Sequence, residues 1–424
     1  MAKTEWKVSD SDRDVLRRLA ERQAAIAAEL IMDERRRLWT KQKSLASERP
    51  MVLLESVGVV DEFLPESSLQ CVEPWARDVE RQLRGRIYHY ENVGDDTVVD
   101  PFIRCSWQLD LGGYGVPMAK ERGIDAQGRS VGFRWQPAIQ DLDSELPKLH
   151  HRTPSVDREA TLAWKGHLEG IFAGIMPVEL RGSVWPNWTM GMTMEAIFLV
   201  GLENFMLQMY DNPDGVHALM AFLRDDHRQL ALWLETEGLL TLNNGNEYIG
   251  SGSYGFTADL PQPDWEPGNP VRLRDLWVLL ESQETVGISP DMFAEFILPY
   301  QSDIGSLFGL TYYGCCEPVH NRWRHVKTLP NLRAVSVSPW CDEAFMAEAL
   351  GPDYVYSRKP APSLISTEVF DERTIENDLR HTLQTAAGTH LEIIMKDVHT
   401  LSGDPSRMGR WVQLARKNID RHWR

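Results

Sequence analysis

The fold is decided by four short apolar segments in the last third of the chain: LTYYG (310–314), RAVSVSP (333–339), DYVYSRKP (353–360) and LEIIMKD (391–397). These segments alternate with sequences of helical character, at 319–328, 342–350, 370–386 and 406–422. Strands that alternate with helices indicate a parallel sheet joined by crossover helices. Because the segments are continuously apolar, we expect the strands to be buried on both faces of the sheet.

The earlier part of the chain supplies further strand candidates. MVLLESVGVV (51–60) has the composition of a first buried strand, and two more candidates lie at 97–105 and 176–182. About four earlier units and the four late ones predict a (β/α)8 TIM barrel. A doubly wound sheet is the alternative, although no glycine-rich phosphate loop follows the first strand to support it.

Two additions to the barrel are predicted. From Ser9 to about Lys43, apolar residues recur near the helical period of 3.6 residues. Residues 1–49 are therefore interpreted as an N-terminal helical extension, and residues 50–424 as the barrel. A glycine-containing segment then leads into a β-excursion, whose return strand is VGFRWQPAI (131–139).

Composition argues against several classes of protein. The 424 residues include 62 acidic and 45 basic side chains, and a net charge of −17 argues against non-specific nucleic-acid binding. No apolar run approaches the roughly 20 residues that span a bilayer. The charged start lacks the apolar core of a signal peptide, and five cysteines suggest reduced thiols rather than disulfides. We therefore expect a cytoplasmic protein, and the charged helical arm favours a homodimer.

Reactive side chains follow the ends of the late strands, which face one shared pocket in a barrel. Sulfur and nitrogen donors are ligands that zinc prefers, and the candidates are Cys315, Cys316, Cys341 and His399. Adjacent cysteines do not easily bind one ion together, and a buried cysteine often acts as a small apolar residue instead. The candidate catalytic residues are Glu317, Lys359, Lys396 and Asp397. The two lysines could equally be partners in structural ion pairs.

Aromatic residues in loops suggest walls for a flat organic ligand. The candidates for substrate binding are Trp185, Asn187, Trp188, Tyr248, Tyr254, Phe256, Tyr313 and Trp340. Simple aromatic packing under long loops explains the two loop groups, 185–188 and 248–256, equally well.

The late segments also resemble a known family. YYGCCEPVH (312–320), NLRAVSVSPW (331–340), YVYSRKPAPSLI (354–365) and LEIIMKDVHT (391–400) are similar to the uroporphyrinogen decarboxylase superfamily. More narrowly, they resemble bacterial members allied to corrinoid-dependent methyltransferases. The resemblance implies a (β/α)8 barrel with a cleft at the strand carboxyl ends. In one branch it implies decarboxylation without a cofactor. In the other it implies zinc and methyl transfer to or from cobalamin on a separate corrinoid protein.

The sequence departs from the pattern of both branches. After Arg49 and Pro50 it reads MVLLESVG, where decarboxylases have an arginine-rich substrate loop. Where the methyltransferase pattern has His-x-Cys, this chain has Tyr313-Gly314-Cys315. The first departure argues against porphyrinogen decarboxylation, and the second leaves the zinc ligands open.

The leading functional hypothesis is a methyltransferase. It would move a methyl group between a small aromatic, methoxylated or methylated compound and a corrinoid protein, an O-demethylation assisted by zinc as a Lewis acid. A metal-free decarboxylase or lyase of a carboxylated ring compound is the first alternative. A non-catalytic protein that binds a corrinoid or tetrapyrrole is the second.

Overall fold

The computed structural model describes residues 6–117, 120–124, 130–182 and 189–423. The strands of these ranges are β1 (Met51–Leu54), β2 (Ile103–Ser106), β3 (Leu109–Asp110), β4 (Lys120–Ile124), β5 (Ser130–Trp135), β6 (Ser155–Val156), β7 (Val178–Arg181), β8 (Tyr248–Gly250), β9 (Ser253–Tyr254), β10 (Trp277–Leu280), β11 (Leu310–Tyr313), β12 (Leu332–Val337), β13 (Val355–Arg358) and β14 (His390–Met395).

The α-helices lie between and around these strands. They are α1 (Asp10–Ala27), α2 (Leu30–Lys43), α3 (Val60–Phe63), α4 (Pro74–Asn92), α5 (Leu142–Glu145), α6 (Arg158–Phe172), α7 (Thr193–Val200), α8 (Leu202–Asp211), α9 (Pro213–Thr236), α10 (Pro290–Phe296), α11 (Leu298–Gly305), α12 (Trp323–Val326), α13 (Glu343–Leu350), α14 (Ser363–Ser366), α15 (Glu372–Thr385) and α16 (Ser406–His422). Among the described helices, none has the length and apolar character needed to cross a membrane.

The central sheet contains six parallel strands in the order β1-β14-β13-β12-β11-β10. The four late segments of the sequence analysis form β11 to β14, and the first predicted strand forms β1, so these predictions are confirmed. A separate parallel pair joins β2 and β7. The predicted β-excursion is the antiparallel pair β4–β5. The architecture is mixed α/β around a parallel sheet.

Each strand of the central sheet buries both of its faces. All residues of β1, β10, β11 and β13 are buried. Tyr313 and Tyr356 join the largest core cluster, which includes apolar residues of the helices, whereas the neighbouring Tyr312 and Val355 join a second cluster on the other face. This alternation explains why the sequence shows continuous apolar runs rather than a polar face.

The N-terminal extension consists of two helices rather than the single helical stretch expected from the sequence. Ser9 caps α1 by accepting a hydrogen bond from the backbone of Asp12 at 3.0 Å. At the end of α2, the buried Lys43 donates through Nζ to Oε2 of Glu392 on β14 at 2.6 Å. The extension thus contributes a charged group to the interior of the sheet. The boundary at residue 49 stays a prediction.

A closed barrel is not formed by backbone ladders in the described ranges, since β1 and β10 are the edges of the six-stranded sheet. Beyond both edges, side chains of other segments form hydrogen bonds with the backbone of the edge strands. Next to β1, the carboxylate of Asp96 accepts from the Val52 amide at 2.9 Å. Next to β10, the side-chain amide of Asn243 accepts from the Trp277 amide at 2.9 Å and donates to its carbonyl at 3.0 Å. The barrel prediction is therefore confirmed only as a parallel α/β sheet.

Candidate functional site

Four residues at the carboxyl ends of two strands form a compact group, which we name the thiol cluster: Cys315 and Cys316 after β11, with Lys396 and Asp397 after β14. The two Sγ atoms lie 3.6 Å apart. Lys396 Nζ donates to Cys315 Sγ at 3.6 Å and to Asp397 Oδ2 at 2.7 Å. Because β12 and β13 separate these strands in the sheet, the contact requires a strongly curved sheet. The structure brings together two predicted metal ligands and two predicted catalytic residues.

The two thiols of the cluster differ in acidity. The hydrogen bond from the Cys315 thiol, supported by the Lys396 ammonium, lowers the pKa of Cys316 in spite of burial. The same hydrogen bond, together with burial, raises the pKa of Cys315 well above its ordinary value. Although burial opposes it, Cys315 and Asp397 raise the pKa of Lys396, so the lysine stays protonated. Cys316 is therefore the thiol of the pair that ionises first, and the thiolate is the nucleophilic form.

Lys359 follows β13 and is buried. Its Nζ donates to the Tyr312 hydroxyl at 3.1 Å and to the Ser357 carbonyl at 3.2 Å. Burial lowers the pKa of Lys359 to about 7, against the attraction of Glu392 and with the help of repulsion from Lys396. A lysine with this pKa can exchange a proton near neutral pH.

Glu317 is buried and its two carboxylate oxygens are both used by the backbone. Oε1 accepts from the Ser282 amide at 2.9 Å, and Oε2 accepts from the Cys315 amide at 2.8 Å. The residue therefore links the segment after β10 to the start of the thiol cluster. Its geometry fits a positioning role, and the catalytic role expected from the sequence stays a prediction.

The four predicted zinc ligands do not converge on one point. Cys341 Sγ lies 3.6 Å from the Ser338 hydroxyl and 3.8 Å from the Glu317 carbonyl, and His399 is exposed. Across the described ranges, no group of three or more His, Cys, Asp or Glu residues could hold a metal ion. Since zinc in proteins takes three or four ligands at about 2.0–2.3 Å, the donor set does not fit the predicted metal.

The predicted aromatic residues fall into different environments. Tyr248 and Tyr254 line a cavity, and their ring centroids lie 6.4 Å apart at 84°. Phe256 and Tyr313 are buried in core clusters, and Trp340 is 72% exposed. Trp185, Asn187 and Trp188 lie outside the described residues.

The cavity next to the carboxyl end of β1 has a volume of about 600 Å³. This is within the usual range for a small-molecule site. Its wall is formed by β1 and the turn after it, by α4, and by the segments before β2 and around β8 and β9. The residues that line it include Glu55, Val57, Phe63, Arg81, Arg86, His89, Asp100, Arg104, Tyr248 and Tyr254.

Glu55 connects the cavity to the strand-end groups. It follows β1 and lines the cavity. Burial raises the pKa of Glu55, opposed first by the nearby Lys396 and, more weakly, by Lys359 and a hydrogen bond with Tyr248. Enzymes commonly use carboxyl groups whose pKa is raised by burial as proton donors.

Helix α4 contributes a polar face to the cavity that the sequence analysis did not identify. Arg81, Gln82, Gly85, Arg86 and His89 all line it. Their spacing of one, three, one and three residues places them on one side of a helix. The buried residues of this helix, Ala76, Glu80 and Leu83, lie on its other side. This periodicity could have indicated the site from the sequence.

A group of buried carboxylates lies behind the thiol cluster. Burial, with Glu284 and Glu317 adding repulsion, raises the pKa of Glu281 well above its ordinary value. Burial also raises the pKa of Glu195 to about 7. Glu284 accepts from the Thr193 hydroxyl at 2.7 Å. These groups are further candidates for holding protons, and no sequence pattern marked Glu281 or Glu284.

Comparison with known proteins finds similarity among solved structures. No family model matches the chain, and no curated protein matches it. Among solved structures, the fold is similar to a methyltransferase from Methanosarcina mazei, with a TM-score of 0.48 and 12% sequence identity. The match covers 91% of this chain and 97% of the other. A similarity of this size carries no information on substrate or reaction.

Proposed function

We propose that this protein is a methyltransferase that removes a methyl group from a small methoxylated or methylated compound and passes it to a corrinoid on a partner protein. The observation that carries the proposal is Glu55, which lines a cavity of about 600 Å³ and interacts electrostatically with Lys396 of the thiol cluster. The proposal includes membership of the uroporphyrinogen decarboxylase superfamily and completion of the eight parallel strands into a barrel.

Removal of a methyl group from an ether needs a proton donor and a nucleophile. The carbon–oxygen bond breaks, the methyl group forms a bond to the nucleophile, and the oxygen leaves with the bonding electrons. Glu55, a carboxyl group whose pKa burial raises, is suited to protonate that oxygen, and the Lys396 ammonium is suited to stabilise its charge. A reduced corrinoid would supply the nucleophile.

The exposed face of the strand ends suits a partner protein. Trp340, after β12, is 72% exposed, and Val57, after β1, is 74% exposed. Tryptophan is among the residues that are enriched at sites of protein association. We assign the corrinoid protein to this face as part of the proposal. Zinc assistance stays a prediction, and no step is routed through a metal because the predicted donors do not converge.

The experiment is anaerobic incubation of the purified protein with cob(I)alamin and a panel of methoxylated and methylated donors. We expect methylation of the corrinoid, seen by absorbance, together with an equal amount of demethylated donor. Glu55→Gln should lower the rate by about 100-fold or more, if Glu55 is the proton donor. An inactive wild-type protein with the whole panel would contradict the proposal.

Zinc content is measured on the same preparations. Stoichiometric zinc in the wild-type protein that is lost in Cys316→Ser would restore the metal hypothesis. Zinc below about a tenth of an equivalent, after growth with zinc, would remove it.

A decarboxylase is the second candidate, and the cations near the cavity favour it. Lys359 and Lys396 lie at the strand ends, and Arg86 lines the cavity. Cations at these positions could hold the carboxylates of a ring compound. Release of CO2 from such a compound, without metal or cobalamin, would identify this activity. Tight cobalamin binding without turnover would instead indicate the non-catalytic alternative.

A further inference from the structure

The cavity contains an arginine that differs from the other basic residues around it. Arg104 binds Asp100 at 2.6 Å, and its second guanidinium nitrogen lies 3.3 Å from Glu247. Arg81 is paired with Asp61 at 2.9 Å. His89 is paired with Asp95 at 2.9 Å. Each of these groups already has a counter-charge within the protein.

Arg86 has none among the described residues. In that part of the chain, no hydrogen-bond acceptor contacts its guanidinium and no carboxylate lies within 4.0 Å of it. Asp100 acts on it electrostatically, but that carboxylate is bound by Arg104. Burial, and then repulsion from Arg104, lower the pKa of Arg86. A partly buried cation without a counter-charge is unfavourable, and an anion in the cavity would relieve this cost.

We propose that Arg86 is the anchor of a carboxylate subsite, and that the ligand of the cavity is a small aromatic carboxylate. One unpaired guanidinium balances one negative charge, and its planar fork fits the two oxygens of a carboxylate. The remaining wall suits an aromatic ring, because Val57, Phe63, Tyr248 and Tyr254 line the same cavity. The two tyrosine rings stand nearly perpendicular, which offers both a face and an edge to a flat ligand.

The inference deepens the proposed function, since it names the substrate class as an aromatic carboxylate that carries the methyl group. Recognition of the carboxylate does not itself depend on methyl transfer. Binding without turnover therefore tests the subsite separately from the reaction.

The test uses the full chain, with p-methoxybenzoate and its uncharged relative methoxybenzene as probes in isothermal titration calorimetry. We expect the wild-type protein to bind p-methoxybenzoate more tightly than methoxybenzene. Arg86→Met should weaken binding of the carboxylate by about 10- to 100-fold, because a charge-assisted bidentate hydrogen bond is lost. Binding of methoxybenzene should change by less than about 2-fold, since no charge is involved.

Two further variants control the experiment. Arg86→Lys keeps the charge but loses the planar fork, so we expect an intermediate affinity for p-methoxybenzoate. Arg81→Met removes a lining arginine of the same helix that is already paired, and should change the affinity by less than about 3-fold. The melting temperature of Arg86→Met should equal or exceed that of the wild type, because Arg86 has no partner in the described ranges that the substitution would remove.

Equal affinity of wild type and Arg86→Met for p-methoxybenzoate would overturn the inference, as would wild-type preference for methoxybenzene. A lower melting temperature of Arg86→Met than of Arg81→Met would also overturn it, since Arg86 would then have a structural partner. Carboxylate binding that depends on Arg86, in a protein that never methylates cob(I)alamin, would support the subsite and contradict the proposed reaction.

Discussion

At the scale of single residues, the adjacent cysteines show how position alone makes two identical side chains different. Cys315 is 4% exposed, whereas Cys316 is partly exposed, and their two Sγ atoms share a hydrogen bond at 3.6 Å. The hydrogen bond between the two thiols favours a thiolate at Cys316 and disfavours one at Cys315, where burial adds to the effect. The reactive atom of the pair is therefore Cys316 Sγ, although the sequence gives no reason to prefer either cysteine.

This difference predicts the pH dependence of alkylation by iodoacetamide. Because the pKa of Cys316 is lowered, its alkylation rate should reach half of the maximum at a pH below the ordinary thiol pKa of about 8.5. Lys396→Met and Cys315→Ala should each move that midpoint upward, since each removes a group that stabilises the thiolate. The rate at Cys316 is followed by peptide mass spectrometry across the pH range.

Cys71 is an internal control in every sample. Burial, with repulsion from Glu80, raises the pKa of Cys71 to about 12, and its side chain is 1% exposed. It should remain unmodified in the folded protein. A Cys316 midpoint at or above about 8.5 in the wild type would contradict the assignment of the thiolate.

At the scale of elements, α2 belongs to the structure of the sheet. Lys43 at its end is fully buried and donates to Ser253 at 2.5 Å and to Glu392 at 2.6 Å. Glu392 also accepts from Ser253 at 2.8 Å. Burial raises the pKa of Glu392, but the attraction of Lys43 and Lys359 outweighs burial, so the pKa is lowered. The strand β14 therefore carries a buried charge, which Lys43 of helix α2 neutralises.

Lys43→Met should lower the free energy of unfolding by about 3–5 kcal/mol, because it leaves the buried Glu392 without its partner. Urea denaturation measures the loss. Adding Glu392→Gln to this variant should recover part of it, since the uncompensated charge is removed. The matched control is Lys41→Met, whose partner Glu48 is 41% exposed and whose loss should cost less than about 1 kcal/mol. Equal costs for the two lysines would contradict the structural role of Lys43.

The elements also show which parts of the fold the sequence could predict. β11 to β14 were predictable because strands buried on both faces are apolar throughout, and the alternation with helices is local. The contact of Lys43 with Glu392 was not, since it joins residues 349 positions apart. The same holds for the site. The strand-end residues were found from their positions. Arg86 instead lies on a helix, and its significance depends on partners that other arginines have and that it lacks among the described residues.

At the scale of the whole molecule, the edge of the central sheet at β1 is joined to other parts of the chain by side chains. Asp96 is the clearest example. Its carboxylate accepts from two nitrogens of Arg49 at 2.9 Å, from the Val52 amide at 2.9 Å and from Arg416 of α16 at 3.1 Å. One side chain thus joins the segment before β1, the edge of the sheet and the last helix. A hydrophobic pattern contains no trace of such a contact, which is why the contacts at this edge of the sheet could not be predicted.

Asp96→Asn should therefore destabilise the whole fold, by roughly 2–4 kcal/mol at neutral pH, because two arginines lose their shared partner and the amide cannot accept at both positions.

The destabilisation should depend on pH. Arg49 and Arg416 lower the pKa of Asp96, although burial opposes this shift. The folded state thus binds its proton more weakly than the unfolded chain, whose aspartate has a pKa of about 3.9. The stabilisation by Asp96 is then fully present above that value and is lost as the pH falls through the lower pKa of the folded state. Urea denaturation of wild type and variant should show a difference in the free energy of unfolding that is constant at neutral pH and shrinks in acid.

The control is Asp291→Asn, which removes an ion pair with 81% and 62% exposed partners and should cost less than about 1 kcal/mol at any pH. A cost for Asp96→Asn as small as that of the control would mean that the edge at β1 is held by other contacts.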